Sequence, residues 1–184
     1  EGAVDLFSLM DHAPGIGQYK KPGSFERYVM KNQGVTIDEA AKIVEELQER
    51  RRQVDPARLR ELTDAAAARG VTVASHDDDS QAAVEKSLTF RARICEFPLD
   101  LETAAYARRR GMDVAVGAPN VVRGGSHDGN LRAIDAVMGG AANILCSDYH
   151  PASLLHALFI LHRNGMPLHE AAALASLHPA RAIG

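Results

Sequence analysis

Acidic and imidazole side chains that could bind a metal ion follow the apolar segments of this chain. Imidazole nitrogens suit zinc and similar ions, whereas carboxylate oxygens also suit manganese and magnesium. Several such groups at one site predict a divalent cation and a hydrolytic reaction, because the cation lowers the pKa of bound water and offsets developing negative charge. The candidate metal ligands are Asp11, His12, His76, Asp77, Glu96 and Asp148.

Two of these carboxylates follow apolar runs directly, which strengthens the metal hypothesis. Glu96 ends an apolar run and is followed by Phe97 and Pro98, and Asp148 comes after the run Asn-Ile-Leu-Cys-Ser. A buried carboxylate without a partner is energetically unfavourable, so we expect each of them to meet a cation.

The other candidates also have simpler structural interpretations. A single histidine at the end of a strand, such as His76, is more often a hydrogen-bonded loop residue than a ligand. Asp77, Asp78 and Asp79 could cap the helix that follows, since aspartate stabilises the positive end of a helix. The residues alone leave these alternatives open.

A glycine-rich segment, Gly-Ala-Pro-Asn-Val-Val-Arg-Gly-Gly-Ser-His, predicts a phosphate-binding loop. Gly124 and Gly125 would let the backbone approach a ligand, and Arg123 offers a forked cation. A helix expected to start near Asn130 would point amide groups into the same region. The alternative is a glycine-rich turn with an exposed arginine. The candidate substrate-binding residues are Asn120, Arg123, Gly124, Gly125, Ser126, His127 and Tyr149.

The elements that must position these residues alternate between strands and helices. The strand patterns cover residues 4–10, 71–74, 93–97, 113–117 and 143–146. Short strands that are apolar on both faces, separated by helices, predict an α/β fold with a parallel sheet and right-handed crossovers. Ligands of such sheets lie at the carboxyl ends of the strands, where the polar candidates are expected to meet.

Helix signals fill the intervening segments. Thr36 and Glu39 form a capping box, and Asp55-Pro56 starts another helix that Gly70 ends. Further helices are predicted after Ser80 and over residues 100–110, 130–138 and 151–164. We expect a helical excursion at about residues 16–54, with an irregular, mobile stretch from Gly15 to Gly34.

Composition predicts one globular domain, since 46% of the 184 residues are hydrophobic and 24% are charged. The 21 basic and 24 acidic residues give a net charge of −3, which argues against nucleic-acid or membrane partners. No apolar run approaches the roughly 20 residues of a membrane span. Cys95 and Cys146 are interpreted as small core residues of a protein from a reducing compartment, so we expect a cytoplasmic protein.

A family resemblance appears when the motifs are taken together. They are Leu-Met-Asp-His, Ala-Ser-His-Asp-Asp, Glu-Phe-Pro, the glycine-rich segment above and Ser-Asp-Tyr-His-Pro-Ala-Ser-Leu-Leu. In this combination the chain, from Val4 to Arg181, resembles the amidohydrolase-superfamily diphosphatases of the carbon-phosphorus lyase pathway in phosphonate metabolism.

The resemblance implies a TIM-like (β/α)8 barrel with a divalent metal, zinc, manganese or iron, at its mouth. It implies removal of diphosphate from a phosphorylated sugar, α-D-ribose 1-methylphosphonate 5-triphosphate. It assigns catalytic roles to His76, as a metal ligand, and to Asp148, as a ligand and proton acceptor. Asp11 and His12 would stand at barrel strand 4, His76 at strand 5, Glu96 at strand 6, Asn120 and Arg123 at strand 7, and Asp148 at strand 8.

The resemblance also implies that residues 1–184 are the C-terminal part of a barrel. The N-terminal strands and the flanking small β-domain of the superfamily have no counterpart here, and five strands cannot close a barrel of eight. A homo-oligomer is left open. The alternative functions are hydrolysis of a C–N bond in a cyclic amide or N-acyl substrate, and an inactive fragment or interaction module that docks through the helix at 36–54.

Overall fold

The strands form one open, fully parallel sheet, described here from a computed structural model that covers residues 4–125 and 131–184. The strands lie in the order of the chain, each beside the next. They are β1 (Leu6–Leu9), β2 (Thr72–His76), β3 (Ala92–Glu96), β4 (Asp113–Gly117) and β5 (Ile144–Cys146). The predicted α/β class with a parallel sheet is confirmed.

Helices connect and flank these strands. The helices are α1 (Ser24–Gln33), α2 (Ile37–Arg52), α3 (Pro56–Ala67), α4 (Gln81–Thr89), α5 (Leu101–Arg109), α6 (Ala118–Arg123), α7 (Ala133–Met138), α8 (Ser153–Arg163), α9 (Leu168–Leu174) and α10 (Leu177–Ile183). The predicted capping box of α2 is formed, because Thr36 and Glu39 bond each other's backbone amides. No helix among the described residues is long and apolar enough to cross a bilayer.

The two faces of the sheet are covered differently. On one face Val73, Cys95, Val114 and Leu145 pack into the main core with the helices that connect the strands. The other face carries a smaller cluster made by Ala74, Ile94, Ala115, Ile144 and Ala182 of α10. Thr72 at the start of β2 donates to the carbonyl of Ala182, at 3.1 Å. Helix α10 therefore covers the beginnings of the strands and leaves their carboxyl ends free for a site.

The stretch from Gly15 to Gly34, which we expected to be irregular, contains a short 3-10 helix (Gly17–Tyr19) and helix α1. Phe25 and Val29 lie four residues apart on one face of α1 and bury themselves against Ala40 of α2. The helix is only 10 residues long, so its apolar stripe is too short for a clear period in the sequence. The excursion is thus a helical hairpin with a core of its own.

The two cysteines differ in environment. Cys95 is fully buried in the main core, as predicted. Cys146 is only half-buried and lines the cleft at the carboxyl ends of the strands, so its interpretation as a core residue is wrong. It faces the cleft because β5 ends there.

Candidate metal centre

A cleft of about 580 Å³ opens at the carboxyl ends of the strands. Its walls are formed by the last residues of β2 to β5 and by the segments that follow each of the five strands. The polar residues that line it are His12, Gln18, His76, Asp77, Glu96, Asn120, Arg123, Asp148 and Tyr149. The sequence-based expectation that the polar strand ends share one rim therefore agrees with where these side chains lie.

The pairing of β2 with β3 sets His76 beside Glu96 at the ends of their strands. Nδ1 of His76 lies 2.7 Å from Oε2 of Glu96, and the same oxygen accepts a hydrogen bond from the Ser8 hydroxyl at 2.9 Å. Assigning the imidazole proton to Nδ1 makes this contact a hydrogen bond to a carboxylate. Nε2 then carries the free lone pair of the ring, and it lies 3.7 Å from Oδ1 of Asp77.

Asp77 follows β2 in the left-handed backbone region, with a φ of 55°. Its amide donates to the carbonyl of Glu96 at 2.9 Å, and its side chain turns into the cleft floor. The residue is only 8% exposed, and Oδ2 has no hydrogen-bond partner among the described residues. An orphaned buried carboxylate oxygen is a costly feature that a cation would satisfy.

His12 completes a group of three potential ligands. Its Nε2 lies 3.6 Å from Oδ2 of Asp77, and its ring centroid is 5.0 Å from that of His76. One ligand atom from each of the three residues lies within 4.8 Å of the others. Two imidazoles and one carboxylate form a donor set that suits zinc, manganese or iron.

Burial and charge shift the pKa values of this cluster in different directions. Burial lowers the pKa of His76, but the hydrogen bond to Glu96 and the negative charges of Asp77, Glu96 and Asp148 outweigh it, so the pKa is raised. Burial raises the pKa of Asp77 more than the two imidazoles lower it. For Glu96, burial raises the pKa, but the contacts with His76 and Ser8 lower it below the ordinary range.

Asp148 lies in the same cleft as His76, as the metal hypothesis requires. It has a left-handed backbone with a φ of 50°. A Cβ atom placed on Gly117 would lie 3.7 Å from its Oδ2, so the carboxylate lies over the end of β4. Asp148 is exposed, and its charge is among those that raise the pKa of His76.

Asp11 does not join the cluster. Its Oδ2 accepts from Nε of Arg51 in α2 at 2.8 Å, and its Oδ1 accepts from the amide of Ala13 at 3.1 Å. Both oxygens are therefore used to hold the excursion to the sheet. The tandem Asp11-His12 gave no signal in the sequence as to which of its two side chains faces the cleft.

Gln18 is a cleft residue that the sequence analysis missed. Its side-chain nitrogen lies 3.4 Å from Nε2 of His12. The neighbouring Gly17 packs so closely on Asp77 that an added Cβ would lie 2.9 Å from the Asp77 Cβ. The 3-10 helix of the excursion thus covers the cluster, a placement that no motif indicated because it depends on tertiary packing.

The candidate substrate-binding residues separate into two groups. Asn120 accepts from the amide of Ala133 and donates to the carbonyl of Leu131, both at 2.9 Å, and so fixes the start of α7. Arg123 and Tyr149 bond each other on the rim. Gly124 and Gly125 do not line the cleft, and the positive φ of Gly124 is explained by its position as the C-cap of α6. Ser126 and His127 lie outside the described residues.

With this geometry established, comparison with known proteins adds a specific relative. The chain is 39% identical over 183 residues to alpha-D-ribose 1-methylphosphonate 5-triphosphate diphosphatase of Escherichia coli (strain K12). The match covers 98% of this chain and 48% of the relative, so the chain spans about half the length of the curated relative it matches. The resemblance indicated by the motifs is confirmed.

The other comparisons add little. No protein family profile matches the chain. A crystal structure of an amidohydrolase aligns with a TM-score of 0.47 and 19% identity, over 68% of this chain and 36% of that one. This likeness is too weak to bear on function, which must be argued from the cleft and from the diphosphatase relative.

Proposed function

We propose that this chain supplies the metal-binding and proton-accepting residues of a hydrolase that removes diphosphate from α-D-ribose 1-methylphosphonate 5-triphosphate. The observation that carries the proposal is the buried carboxylate of Asp77, whose unpartnered Oδ2 lies 3.6 Å from Nε2 of His12 and whose Oδ1 lies 3.7 Å from Nε2 of His76. The sequence similarity to the diphosphatase supports the choice of substrate.

His12, His76 and Asp77 would hold the metal, and Glu96 would orient His76 from behind. A carboxylate that accepts from one imidazole nitrogen fixes the ring and raises the basicity of the other nitrogen. When bound, a divalent cation would lower the pKa of a water molecule toward about 7 and offset charge on phosphoryl oxygens. Asp11 has no part in this proposal, because Arg51 and the backbone occupy its carboxylate.

Asp148 would accept the proton of the attacking water at its carboxylate. It is exposed to the cleft, so a substrate or water can reach it without rearrangement of the fold. Its left-handed backbone costs about 1–3 kcal/mol, a strain that is commonly retained at functional positions. The negative charge of Asp148 also favours protonated His76 in the absence of a cation.

The part of the rim formed by Arg123 and Tyr149 would hold the phosphate chain. Arg123 is the only lysine or arginine among the described residues that line the cleft, and its guanidinium contacts the Tyr149 hydroxyl. A planar guanidinium can bond two phosphate oxygens at once. His127, Ser126 and the two glycines remain proposals for the same task.

The test measures metal content and diphosphate release by the natural full-length protein. Asp77→Asn is expected to lose bound metal and turnover, whereas Asp148→Asn is expected to lose turnover and to remain folded. Asp64→Asn, which removes a charged surface partner of Arg91, is the matched control. A full-length Asp77→Asn protein with normal metal content and normal diphosphate release would contradict the proposal.

Other substrates distinguish diphosphate release from the alternative reaction, hydrolysis of a C–N bond. A hydantoin and an N-acetylated amino sugar are offered beside the ribose triphosphate. Hydrolysis of either C–N bond without release of diphosphate would favour the amidohydrolase alternative.

A further inference from the structure

A second carboxylate lies behind the candidate metal centre, in the core between the sheet and α4. Asp78 is 6% exposed and accepts three side-chain hydrogen bonds. Oδ1 accepts from Ser87 of α4 at 3.0 Å, while Oδ2 accepts from Ser75 of β2 and from the thiol of Cys95 of β3, the latter at 3.3 Å. Three elements thus converge on this one side chain.

The environment of Asp78 is unusual because all three side-chain donors are neutral. A buried carboxylate is normally paired with a lysine or arginine, since neutral hydrogen bonds offset only part of the lost hydration. Asp78 takes part in no ion pair among the described residues. Replacement of a buried charged group by a well-packed apolar side chain is often neutral or stabilising, so stability alone does not account for a carboxylate at this position.

The position of Asp78 in the chain indicates that purpose. It directly follows Asp77, whose backbone is in the left-handed region. His76 before this turn faces the cleft, and Asp78 after it points to the opposite side of the sheet. The carbonyl of Asp78 also accepts from the amide of Leu99 at 3.0 Å, which ties the turn to the loop that forms the cleft wall after β3.

We propose that Asp78 is a positioning residue that holds the left-handed turn of Asp77 and so aims the Asp77 carboxylate at the metal. The serine and thiol donors fix Asp78 from three directions, and the fixed residue restrains the backbone on one side of Asp77. On the other side the amide of Asp77 is held by the carbonyl of Glu96. The role of Asp78 is geometric and rests on the proposed function, since it presupposes that Asp77 binds a metal.

The test uses Co²⁺ as the probe, because its visible absorption spectrum reports the arrangement of its ligands. Asp78→Ala in the natural full-length protein is expected to weaken Co²⁺ binding by about 10- to 100-fold, as for other residues that orient metal ligands. It is also expected to change the spectrum. Asp78→Asn keeps the shape: its amide oxygen can accept from Ser75 and Cys95, and its amide nitrogen can donate to the Ser87 hydroxyl, so it should restore wild-type binding. Ser87→Ala removes one donor and should have a smaller effect.

Thr63→Ala is the matched control, because Thr63 is a fully buried polar residue of α3 whose hydroxyl donates to the carbonyl of Arg60 at 3.0 Å. It should lower stability without altering the Co²⁺ spectrum.

If Asp78→Ala does not fold, Ser87→Ala carries the test alone. The positioning role is overturned if Asp78→Ala binds Co²⁺ as tightly as the wild type and with the same spectrum. Where Ser87→Ala carries the test, the same result in that variant overturns it. Equal losses in Asp78→Asn and Asp78→Ala overturn it too, since charge would then be responsible. A wild-type protein that binds no Co²⁺ overturns the proposed function as well.

Discussion

Oε2 of Glu96 lies 2.7 Å from Nδ1 of His76, and the register of β2 with β3 places these two residues side by side. Because adjacent parallel strands fix this register, the contact does not depend on a loop. The imidazole is held on its Nδ1 side, and its Nε2 faces Asp77. In the proposed function, Glu96 orients the ligand His76 and does not bind the metal itself.

Replacement of this carboxylate should weaken metal binding without removing a ligand. Glu96→Gln in the natural full-length protein is expected to lower Mn²⁺ affinity about 10- to 100-fold, because a neutral amide orients the imidazole less strongly. Isothermal titration calorimetry measures the effect. Glu102→Gln, which loses only an exposed contact with Gln81, should bind Mn²⁺ normally. Unchanged affinity in Glu96→Gln would argue against an orienting role.

The same pair predicts how stability depends on pH in the metal-free protein. The folded pKa of Glu96 lies below its ordinary value of 4.5. Its contribution to the free energy of unfolding is therefore present above about pH 4.5 and is lost as the pH falls through the folded pKa. Urea unfolding in EDTA should show that the difference between wild type and Glu96→Gln shrinks as the pH falls below about 4.5. A difference that grows on acidification would refute the assignment.

The contact of the excursion with the candidate metal centre can be tested at two glycines. Gly15 and Gly17 both have positive φ, so alanine at either position strains the backbone by about 1–2 kcal/mol. A Cβ atom added at Gly17 would lie 2.9 Å from the Cβ of Asp77, whereas a Cβ atom added at Gly15 would have no described atom within 4 Å. Gly17→Ala should therefore lose stability and Mn²⁺ affinity, and Gly15→Ala should lose stability alone. Equal Mn²⁺ affinities in the two variants would show that the excursion does not constrain the site.

Much of the fold could be predicted because its signals are local. The buried strands of this sheet are short apolar runs, and Thr36 and Asp55 cap their helices as their sequence contexts indicate. Since parallel strands share one carboxyl end, the polar residue after each strand also identified the rim of the cleft. His76 and Asp148 meet there although 72 positions separate them (148 − 76 = 72).

The roles within the site could not be predicted because they depend on tertiary contacts. Asp11 is adjacent to His12, yet its carboxylate bonds Arg51, a residue 40 positions away. Asn120 lies in the most distinctive motif, and its amide supports the backbone of α7. Capping was one possible interpretation of Asp78, but Ser80 caps α4 and Asp78 lies buried beneath the site.

The proposed phosphate-binding role of the rim can be tested at Arg123. Arg123→Lys keeps the positive charge but loses the planar fork, so it should raise the KM for the ribose triphosphate. The loss of a charge-assisted hydrogen bond of about 1.5–3 kcal/mol corresponds to roughly 10- to 100-fold. Because the metal cluster is untouched, kcat should change much less than KM. Steady-state kinetics of the full-length protein measures both, and Arg58→Ala, which breaks only an exposed pair with Glu61, should change neither. A fall in kcat at constant KM would instead place Arg123 at the reacting phosphate.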